Sequence, residues 1–186
     1  GVRPKYLYTI PVFQNPTGSD ISRQRRQRIL SITEKYGVPI FEDDCYVDLR
    51  FEGEPAPSYY SMDNTGRVLY VGSFSKIIAP GMRMGYMVAP DEVVSRAMSF
   101  KTGGGASQFV ALAIEGYLKG HLDEHINEIT QALQVKRDAM LAALGENFGS
   151  TAQWSKPRGG LYIWFRLPEG VDLAALQEPA FQEAGI

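Results

Sequence analysis

Three apolar segments, each followed by a cluster of polar side chains, constrain the fold of this chain more than any other feature. They are rich in aromatic and β-branched residues and have the composition of buried strands: residues 6–10, 38–41 and 68–71. The polar side chains that follow them are Asn15, Asp43 with Tyr46, and those of residues 73–76. Because long or helical connections separate the segments, the sequence predicts an open α/β sheet. In such sheets, ligands bind beyond the carboxyl ends of the strands.

The third polar cluster has the composition of a reactive site. It places two hydroxyls, a lysine and an arginine within eleven residues: Ser73, Ser75, Lys76 and Arg83. A lysine at the C-terminal end of a buried strand is placed to bond covalently to a carbonyl compound. The serines and Arg83 suit a dianion such as a phosphate, which an arginine grips with two parallel N–H groups. Together they favour a lysine that bonds to a phosphorylated carbonyl compound, although Ser-x-Ser-Lys alone is also typical of a solvated surface lysine.

Composition narrows the classes of function. The chain has 186 residues, enough for one domain or for one domain with part of another. With 19 Lys and Arg against 21 Asp and Glu, its net charge of −2 gives no electrostatic reason to expect binding to nucleic acid or to an anionic membrane. The single cysteine, Cys45, excludes an internal disulfide, and with two histidines no usual zinc site is expected. We expect a reducing, cytoplasmic setting, without a transmembrane segment or signal peptide.

Two groups of charged residues near the predicted sheet are expected to be largely solvated. A helix capped by Ser22 is predicted to run to about residue 36, with Gly37 just past its end. Its first turns carry four arginines that we expect on a solvated face: Arg23, Arg25, Arg26 and Arg28. Of the three acids at residues 42–44, we expect two to face solvent and the third to have a partner. Residues 50–64 are predicted to form an irregular surface loop.

The second half of the sequence is mostly helical in pattern. Helices are predicted over about residues 91–100, 108–118, 121–148 and 172–184. The glycines at 103–105 lack the frame of a phosphate-binding loop, so we predict a hinge or a helix break there. Neither His121 nor His125 has a partner at a catalytic spacing, and both are predicted to be exposed. The alternation after Gly159 and Gly160 predicts a strand.

Four short motifs, taken in their order and intervals, resemble those of a known family. They are Asn15-Pro16-Thr17-Gly18, Asp43-Asp44-Cys45-Tyr46, Ser73-Phe74-Ser75-Lys76 and Arg83-Met84-Gly85. This set resembles the class I/II pyridoxal-phosphate-dependent aminotransferases of fold type I, over essentially the whole chain. Residues 13–18, 42–44 and 72–76 are most similar to the branch that holds 2-aminoadipate and broad-specificity aminotransferases. That branch also resembles the aminotransferase-like domain of bacterial regulators with a winged-helix head.

The resemblance implies roles for the residues of these motifs. Lys76 would be the catalytic lysine that forms the Schiff base with pyridoxal 5'-phosphate and carries the proton of the 1,3-shift. Asp43 would pair with the pyridine nitrogen and keep it protonated, as an electron sink requires. Asn15 and Tyr46 would donate to the phenolic oxygen of the cofactor, while Cys45 would lie against a face of its ring. Three further side chains would hold the phosphate: Ser73, Ser75 and Arg83.

The resemblance also implies a domain organisation. Residues 1–144 would be part of the large cofactor-binding domain, including the helix that links the two domains, and residues 145–186 would begin the small α+β domain. We expect a homodimer. The phosphate loop, the ring-stacking aromatic residue and the substrate-carboxylate arginine of the family are expected outside this chain, so Arg158 is not assigned to that last role. Alone, the chain is expected to have little or no transaminase activity and to associate through its open surface.

Three functions remain open for the parent protein. It would be an aminotransferase that moves an α-amino group from an L-amino acid to a 2-oxo acid, the effector-binding domain of a winged-helix transcription regulator, or a C–S lyase or decarboxylase on the same fold. The regulators often vary the residue at the position of Asn15, so its retention favours the enzyme. The sequence does not identify the amino-acid substrate.

Overall fold

A four-stranded sheet is the main element of the computed structural model, which describes residues 4–185. Its strands, in spatial order, are β1 (Leu7–Thr9), β2 (Ile40–Asp43), β3 (Val68–Ser73) and β4 (Gly85–Val88). The first three strands run parallel to one another, and β4 is antiparallel to β3. The predicted open α/β sheet is therefore confirmed, and each of the three predicted segments overlaps one of its parallel strands.

The register of the sheet brings the ends of the parallel strands to one edge. Thr9 is paired with Glu42, and Asp43 is paired with Val71. The polar clusters after β1, β2 and β3 therefore begin at the same edge, as the sequence predicts. A 3₁₀ turn (Pro80–Met82) lies in the short connection from β3 to β4. A connection this short contains no crossover helix, which explains why β4 runs antiparallel.

The first long helix, α1 (Arg23–Tyr36), begins and ends where its caps predict. The Ser22 side chain accepts a hydrogen bond from the Arg25 backbone N–H, at 3.4 Å. At the other end, Gly37 has φ 61° and its N–H reaches the last carbonyls of the helix. Both features satisfy backbone groups that a helix end leaves without partners.

Arg26 contradicts the prediction of a solvated arginine face, because it is only 1% exposed. Its guanidinium donates to three backbone carbonyls: Ile21 at 2.9 Å, Pro57 at 3.0 Å and Pro11 at 3.2 Å. Ile29 and Leu30 of the same helix pack against buried residues of the sheet. Arg26 precedes them by three and four residues, so it shares their inward face. The helical spacing, rather than the local density of charge, decides where this arginine lies.

The acids that end β2 are also more buried than predicted. Glu42 is 0% exposed and Asp44 is 4% exposed, because alternate residues of an extended segment point to the same side. Glu42 accepts the backbone N–H groups of Tyr59 and Tyr60, both at 2.9 Å. Asp44 accepts the Tyr70 hydroxyl at 3.2 Å. Burial raises the pKa of Glu42, and it raises the pKa of Asp44 to about 6.

The segment predicted as an irregular surface loop contains a short helix, α2 (Tyr59–Met62). The Tyr59 side chain is fully buried and packs with Ile40 and Val68. Glu42 accepts the first two N–H groups of this helix, a favourable place for an anionic side chain. A contact between residues 17 positions apart therefore supports this helix, in addition to its local N-cap, Ser58.

The remaining elements follow the predicted pattern closely. They are α3 (Asp91–Phe100), α4 (Gln108–Leu118), α5 (Leu122–Phe148), β5 (Gln153–Trp154), β6 (Phe165–Arg166) and α6 (Leu173–Pro179), which continues as a π-helical turn (Ala180–Ala184). Residues 103–105 lie between α3 and α4, where a helix break is predicted. The last two strands pair antiparallel as a separate sheet. Among residues 4–185, no helix is both long and apolar enough to cross a bilayer.

A cluster of buried apolar side chains lies just beyond the carboxyl ends of the parallel strands. We call it the site-side core, and its members are Val12, Phe13, Tyr46, Leu49 and Ile77. These residues come from the connections that follow β1, β2 and β3. The three polar loops are therefore packed on one another through apolar neighbours, which limits how far their functional side chains can move apart.

Candidate active site

The loop after β1 presents Asn15 on a network of local hydrogen bonds. The Gln14 side chain accepts the Thr17 N–H at 3.1 Å and the Thr17 hydroxyl at 2.6 Å. The Gly18 N–H closes the turn on the Gln14 carbonyl at 2.7 Å. Asn15 itself is exposed, and its Nδ2 donates to the hydroxyl oxygen of Tyr162 at 3.1 Å. The turn residues of this motif therefore hold the Asn15 amide out of the loop and toward a distant part of the chain.

Asp43 ends β2 as a half-buried carboxylate with one oxygen held in place. The Tyr8 hydroxyl, on the adjacent strand β1, donates to its Oδ2 at 2.7 Å. Burial and this carboxylate together raise the pKa of Tyr8 to about 12, so the tyrosine keeps its proton and remains a donor. Cys45 lies two residues further along, and burial together with the Asp43 charge raises the pKa of its thiol to about 11. The thiol therefore stays protonated, consistent with a packing role.

Tyr46 brings a second hydroxyl to the oxygen that Asn15 contacts. Its side chain is buried, and its hydroxyl donates to the Tyr162 oxygen at 3.4 Å. The two tyrosine rings meet edge to face, with centroids 5.8 Å apart and planes at 85°. Burial, followed by the Tyr162 hydrogen bond, raises the pKa of Tyr46. Two side chains that the sequence assigns to one site thus converge on a single phenolic oxygen.

Lys76 lies in the loop after β3, which is anchored on both sides. The Ser75 N–H donates to Ser73 Oγ at 3.2 Å, and the Phe74 N–H donates to the Met84 carbonyl at 3.1 Å. Ile77, the next residue, is buried in the site-side core. Lys76 is half-buried, and its amine makes no hydrogen bond or ion pair within residues 4–185. Its position next to Ile77 places it beside the loop that carries Tyr46.

Among the predicted phosphate ligands, Arg83 is the most exposed to solvent. It is exposed, has φ 49°, and donates from Nη1 to the Pro80 carbonyl at 3.4 Å. Within the described part of the chain it hydrogen-bonds to neither Ser73 nor Ser75. All three side chains nevertheless belong to one short connection between paired strands, because Ser73 is in register with Gly85.

His125 contradicts the prediction that both histidines are exposed. Its Nε2 lies 2.6 Å from the Ile77 carbonyl oxygen and its Nδ1 lies 2.9 Å from the Tyr117 hydroxyl. A carbonyl only accepts hydrogen bonds, so Nε2 carries a proton. His125 precedes Ile129, which packs on the site-side core, by one helical turn. Helices α4 and α5 are thereby joined to the residue that follows Lys76. His121, in contrast, has a 63% exposed side chain.

Tyr162 is the site residue that the sequence did not reveal, and two glycines explain its position. A Cβ atom at Gly159 would lie 2.2 Å from the Phe13 ring, and one at Gly160 would lie 2.5 Å from Phe13 Cβ. Gly160 also has φ +76°, and its N–H donates to the Leu49 carbonyl at 2.8 Å. Residues without side chains let this segment pass closely over the site-side core. The two glycines signal a close backbone approach, but they do not indicate which residue the Tyr162 hydroxyl contacts.

Arg158, which was not assigned to a substrate, pairs with an acid of the first loop. Its Nη2 lies 3.4 Å from Asp20 Oδ2, and Arg50 Nη1 lies 3.1 Å from the same oxygen. The other carboxylate oxygen of Asp20 accepts the Phe13 N–H at 3.0 Å. These contacts fasten the segment before Tyr162 to the loop that carries Asn15. Within the described residues, no cluster of three or more side chains is arranged to hold a metal ion.

Comparison with known proteins identifies the family to which this arrangement belongs. The family described as aminotransferase class I and II matches residues 9–186. Aromatic-amino-acid aminotransferase 1 of Thermococcus litoralis is 39% identical over 97% of this chain and 44% of its own length. YisV, a helix-turn-helix transcriptional regulator of Bacillus subtilis, is 41% identical over 85% of this chain and 33% of its own.

A solved structure gives the same result for the fold. LysN, the α-aminoadipate aminotransferase of Thermus thermophilus, superposes with a TM-score of 0.92 at 31% identity, over 97% of this chain and 48% of its own. This chain thus spans less than half the length of these relatives. Its fold is that of the fold type I transferases, as the sequence predicts. The chain belongs to the class I and II aminotransferase family.

Proposed function

We propose that the complete protein carrying this chain is a pyridoxal-phosphate-dependent aminotransferase that moves an α-amino group from an L-amino acid to a 2-oxo acid. The observation that carries the proposal is the convergence of the Asn15 amide and the Tyr46 hydroxyl on one phenolic oxygen, beside the Lys76 loop. Family membership and the solved Thermus thermophilus relative, whose complex contains N-(5'-phosphopyridoxyl)-L-leucine, support the same conclusion.

The residues present suit the proposed cofactor. Pyridoxal 5'-phosphate has a phenolic oxygen, and the fit is supported by the donation of Asn15 and Tyr46 to another phenolic oxygen, that of Tyr162. Asp43 offers a carboxylate to a ring N–H⁺ group, and the loop after β3 offers hydroxyls and a guanidinium to a phosphate. When bound, the cofactor supplies the electron sink for a carbanion at the substrate α-carbon.

The protein residues bind, orient and move a proton in this proposal. Lys76 would hold the cofactor covalently through its carbonyl carbon, with loss of water, and its half-buried amine has no competing partner within residues 4–185. When free, the same amine would move the proton at the substrate α-carbon. Asp43, held by the Tyr8 hydroxyl, keeps the ring nitrogen cationic. Three side chains bind the phosphate dianion: Ser73, Ser75 and Arg83.

We further propose that residues 1–144 belong to the cofactor-binding domain and that residues 145–186 begin the small domain. Support comes from α5, which leads from the parallel sheet to the separate pair of strands, β5 and β6. A homodimer in the cytoplasm is proposed for the complete protein, from the family resemblance and from the single Cys45.

A second candidate function is an effector-binding domain of a transcription regulator. It is supported by the 41% identity with the Bacillus subtilis regulator. In that case the same residues hold the cofactor, and bound effector alters DNA binding instead of being transaminated. Retention of Asn15 favours the enzyme, as argued from the sequence. Sequence-specific DNA binding by the complete protein, without transamination of any L-amino acid, would decide for the regulator.

The test of the first proposal uses the complete protein with added pyridoxal 5'-phosphate. We expect visible absorbance from the bound cofactor and amino transfer from at least one of a panel of L-amino acids to 2-oxoglutarate. Lys76→Ala should lower the rate by at least about 10²-fold, the usual contribution of a positioned acid–base group. Lys119→Ala, at an exposed lysine, is the matched control and should leave the rate unchanged. Equal rates in the two variants would contradict the proposal.

A further inference from the structure

The hydroxyl of Tyr162 accepts two hydrogen bonds and has a proton to spare. Asn15 Nδ2 donates to it at 3.1 Å, and Tyr46 Oη donates to it at 3.4 Å. A phenolic hydroxyl also carries one proton of its own. Within residues 4–185, that proton has no other hydrogen-bond acceptor. Tyr162 thus contacts two proposed cofactor-binding residues and keeps an unused hydrogen-bond donor, its hydroxyl proton.

The position of this hydroxyl is fixed by the backbone around it. The Gly160 N–H bonds to the Leu49 carbonyl at 2.8 Å, and a Cβ atom at Gly18 would lie 2.5 Å from the Tyr162 carbonyl oxygen. The Tyr162 ring also meets the Tyr46 ring edge to face, at 5.8 Å. Close backbone approach on one side and a ring contact on the other hold the hydroxyl toward the site.

The Tyr46 hydroxyl has one proton, so cofactor binding requires a change in its hydrogen bond. The Tyr46 hydroxyl cannot donate to Tyr162 and to the phenolic oxygen of a cofactor at the same time. If its proton turns toward the cofactor, its own oxygen becomes an acceptor that faces Tyr162. The spare proton of Tyr162 then fits this acceptor, and the 3.4 Å contact is kept with its direction reversed. Donation to Tyr46 polarises its hydroxyl and makes it a stronger donor.

We infer that Tyr162 is a positioning residue of the cofactor site, which acts through Tyr46 by this reversal of the hydrogen bond and which also orients the Asn15 amide. The inference rests on the proposed function, since it takes the bound molecule to be pyridoxal 5'-phosphate. No bond to carbon is made or broken, and two hydroxyl protons rotate. Before the change Tyr46 donates to Tyr162, and after it Tyr46 donates to the cofactor while Tyr162 donates to Tyr46. Tyr162 touches the donors, and the donors touch the cofactor.

Tyr162→Phe in the complete protein tests the inference, because the variant keeps the ring contact and loses the hydroxyl. We expect cofactor-free protein to bind pyridoxal 5'-phosphate about three- to tenfold more weakly, the usual effect of one lost hydrogen bond. Donors to the phenolic oxygen favour its anionic form. The pH midpoint of the visible absorbance of bound cofactor should therefore rise, by about 0.5 unit or more.

The pathway through Tyr46 has its own test. Tyr162 and Cys45 are the titratable groups that interact with the Tyr46 hydroxyl, so Cys45 is kept in every variant. In a Tyr46→Phe background, Tyr162→Phe should shift the pH midpoint less than it does in the wild type, because only the contact with the Asn15 amide is left to lose. Tyr60→Phe is the matched control, because the Tyr60 hydroxyl makes no hydrogen bond within residues 4–185, and both the affinity and the midpoint should equal those of the wild type.

The outcomes separate this inference from the function on which it rests. If the wild type takes up cofactor and Tyr162→Phe matches it in affinity and pH midpoint, the inference is wrong and the proposed function stands. A full additional shift in the Tyr46→Phe background would also overturn the action through Tyr46. If the wild type takes up no cofactor, the proposed function fails and the inference fails with it.

Discussion

Replacement of Arg26 by methionine tests whether a buried cation holds the first loop of the site to the sheet. Arg26 Nη1 lies 3.9 Å from Glu42 Oε1, with side-chain exposures of 1% and 0%. At this distance, with an effective dielectric constant of about 20, the attraction of two unit charges is about 4 kcal/mol. Loss of one partner of a buried pair typically costs about 3–5 kcal/mol. We therefore expect Arg26→Met to lower the free energy of unfolding by about 3–5 kcal/mol.

The pH dependence of this loss has a defined sign. Burial raises the pKa of Glu42 while Arg26 lowers it, so removal of the arginine raises it further. An acid whose pKa is higher in the folded protein than in the unfolded chain binds its proton more tightly when folded. Its contribution to stability therefore falls as the pH rises through the folded pKa. The loss caused by Arg26→Met should be larger at pH 8 than at pH 5.

Urea denaturation of the complete protein, followed by circular dichroism at both pH values, measures the effect. Arg25→Met is the matched control, since this neighbouring arginine of α1 is exposed, and it should change stability by less than about 0.5 kcal/mol. The double variant with Glu42→Gln should recover part of the loss, because no buried charge is left without a partner. A cost below about 1 kcal/mol for Arg26→Met would refute the reasoning.

Two further substitutions probe other buried polar groups. Burial raises the pKa of Asp44 to about 6, so wild-type stability should fall as the pH rises from about 4 to about 6. Asp44→Asn should remove this slope and stabilise the protein at pH 8 by up to about 3 kcal/mol in urea denaturation. If the slope persists, Asp44 is not its source. His125→Ala leaves the Ile77 carbonyl without its donor and should lower the free energy of unfolding by about 1–2 kcal/mol in the same measurement. The control variant His121→Ala, at an exposed histidine, should leave the free energy of unfolding almost unchanged. Equal costs for the two histidines would contradict the anchoring role of His125.

Local signals predicted the strands and the ends of α1, because these features depend on residues close together in the chain. Ser22 and Gly37 bound the helix through contacts within a few residues. The parallel strands were recognised from aromatic and β-branched composition, which fits a buried pleated surface. The edge at which their polar ends meet then follows from parallel topology alone.

The polar residues that were wrongly predicted to be exposed are buried in accordance with the periodicity of their helix or strand. Arg26 and His125 lie one helical turn before residues that pack inward, and this places both against the core. Glu42 and Asp44 are two residues apart and share the buried side of the chain. In each case a polar group is buried because a particular partner, distant in sequence, satisfies it.

The short motifs predicted the candidate site residues that lie within them, and they did not predict Tyr162, which lies outside them. The motif residues Asn15 and Tyr46 were assigned through the family resemblance. Tyr162 lies 147 residues after Asn15. It contacts Asn15 because the Gly159–Gly160 segment before it packs closely over Phe13 in the folded chain. No local sequence pattern predicts that the Tyr162 hydroxyl contacts the Asn15 amide, so this contact could be identified only from the structure.

The central claim is that Lys76 bonds covalently to pyridoxal 5'-phosphate. The most direct measurement is borohydride reduction of the complete, cofactor-loaded protein, followed by protease digestion and mass spectrometry of the labelled peptide. The account predicts that the reduced cofactor is found on Lys76 and that Lys76→Ala carries no label at any site. A label on another lysine, or an unlabelled wild type under conditions in which the cofactor is bound, would contradict it.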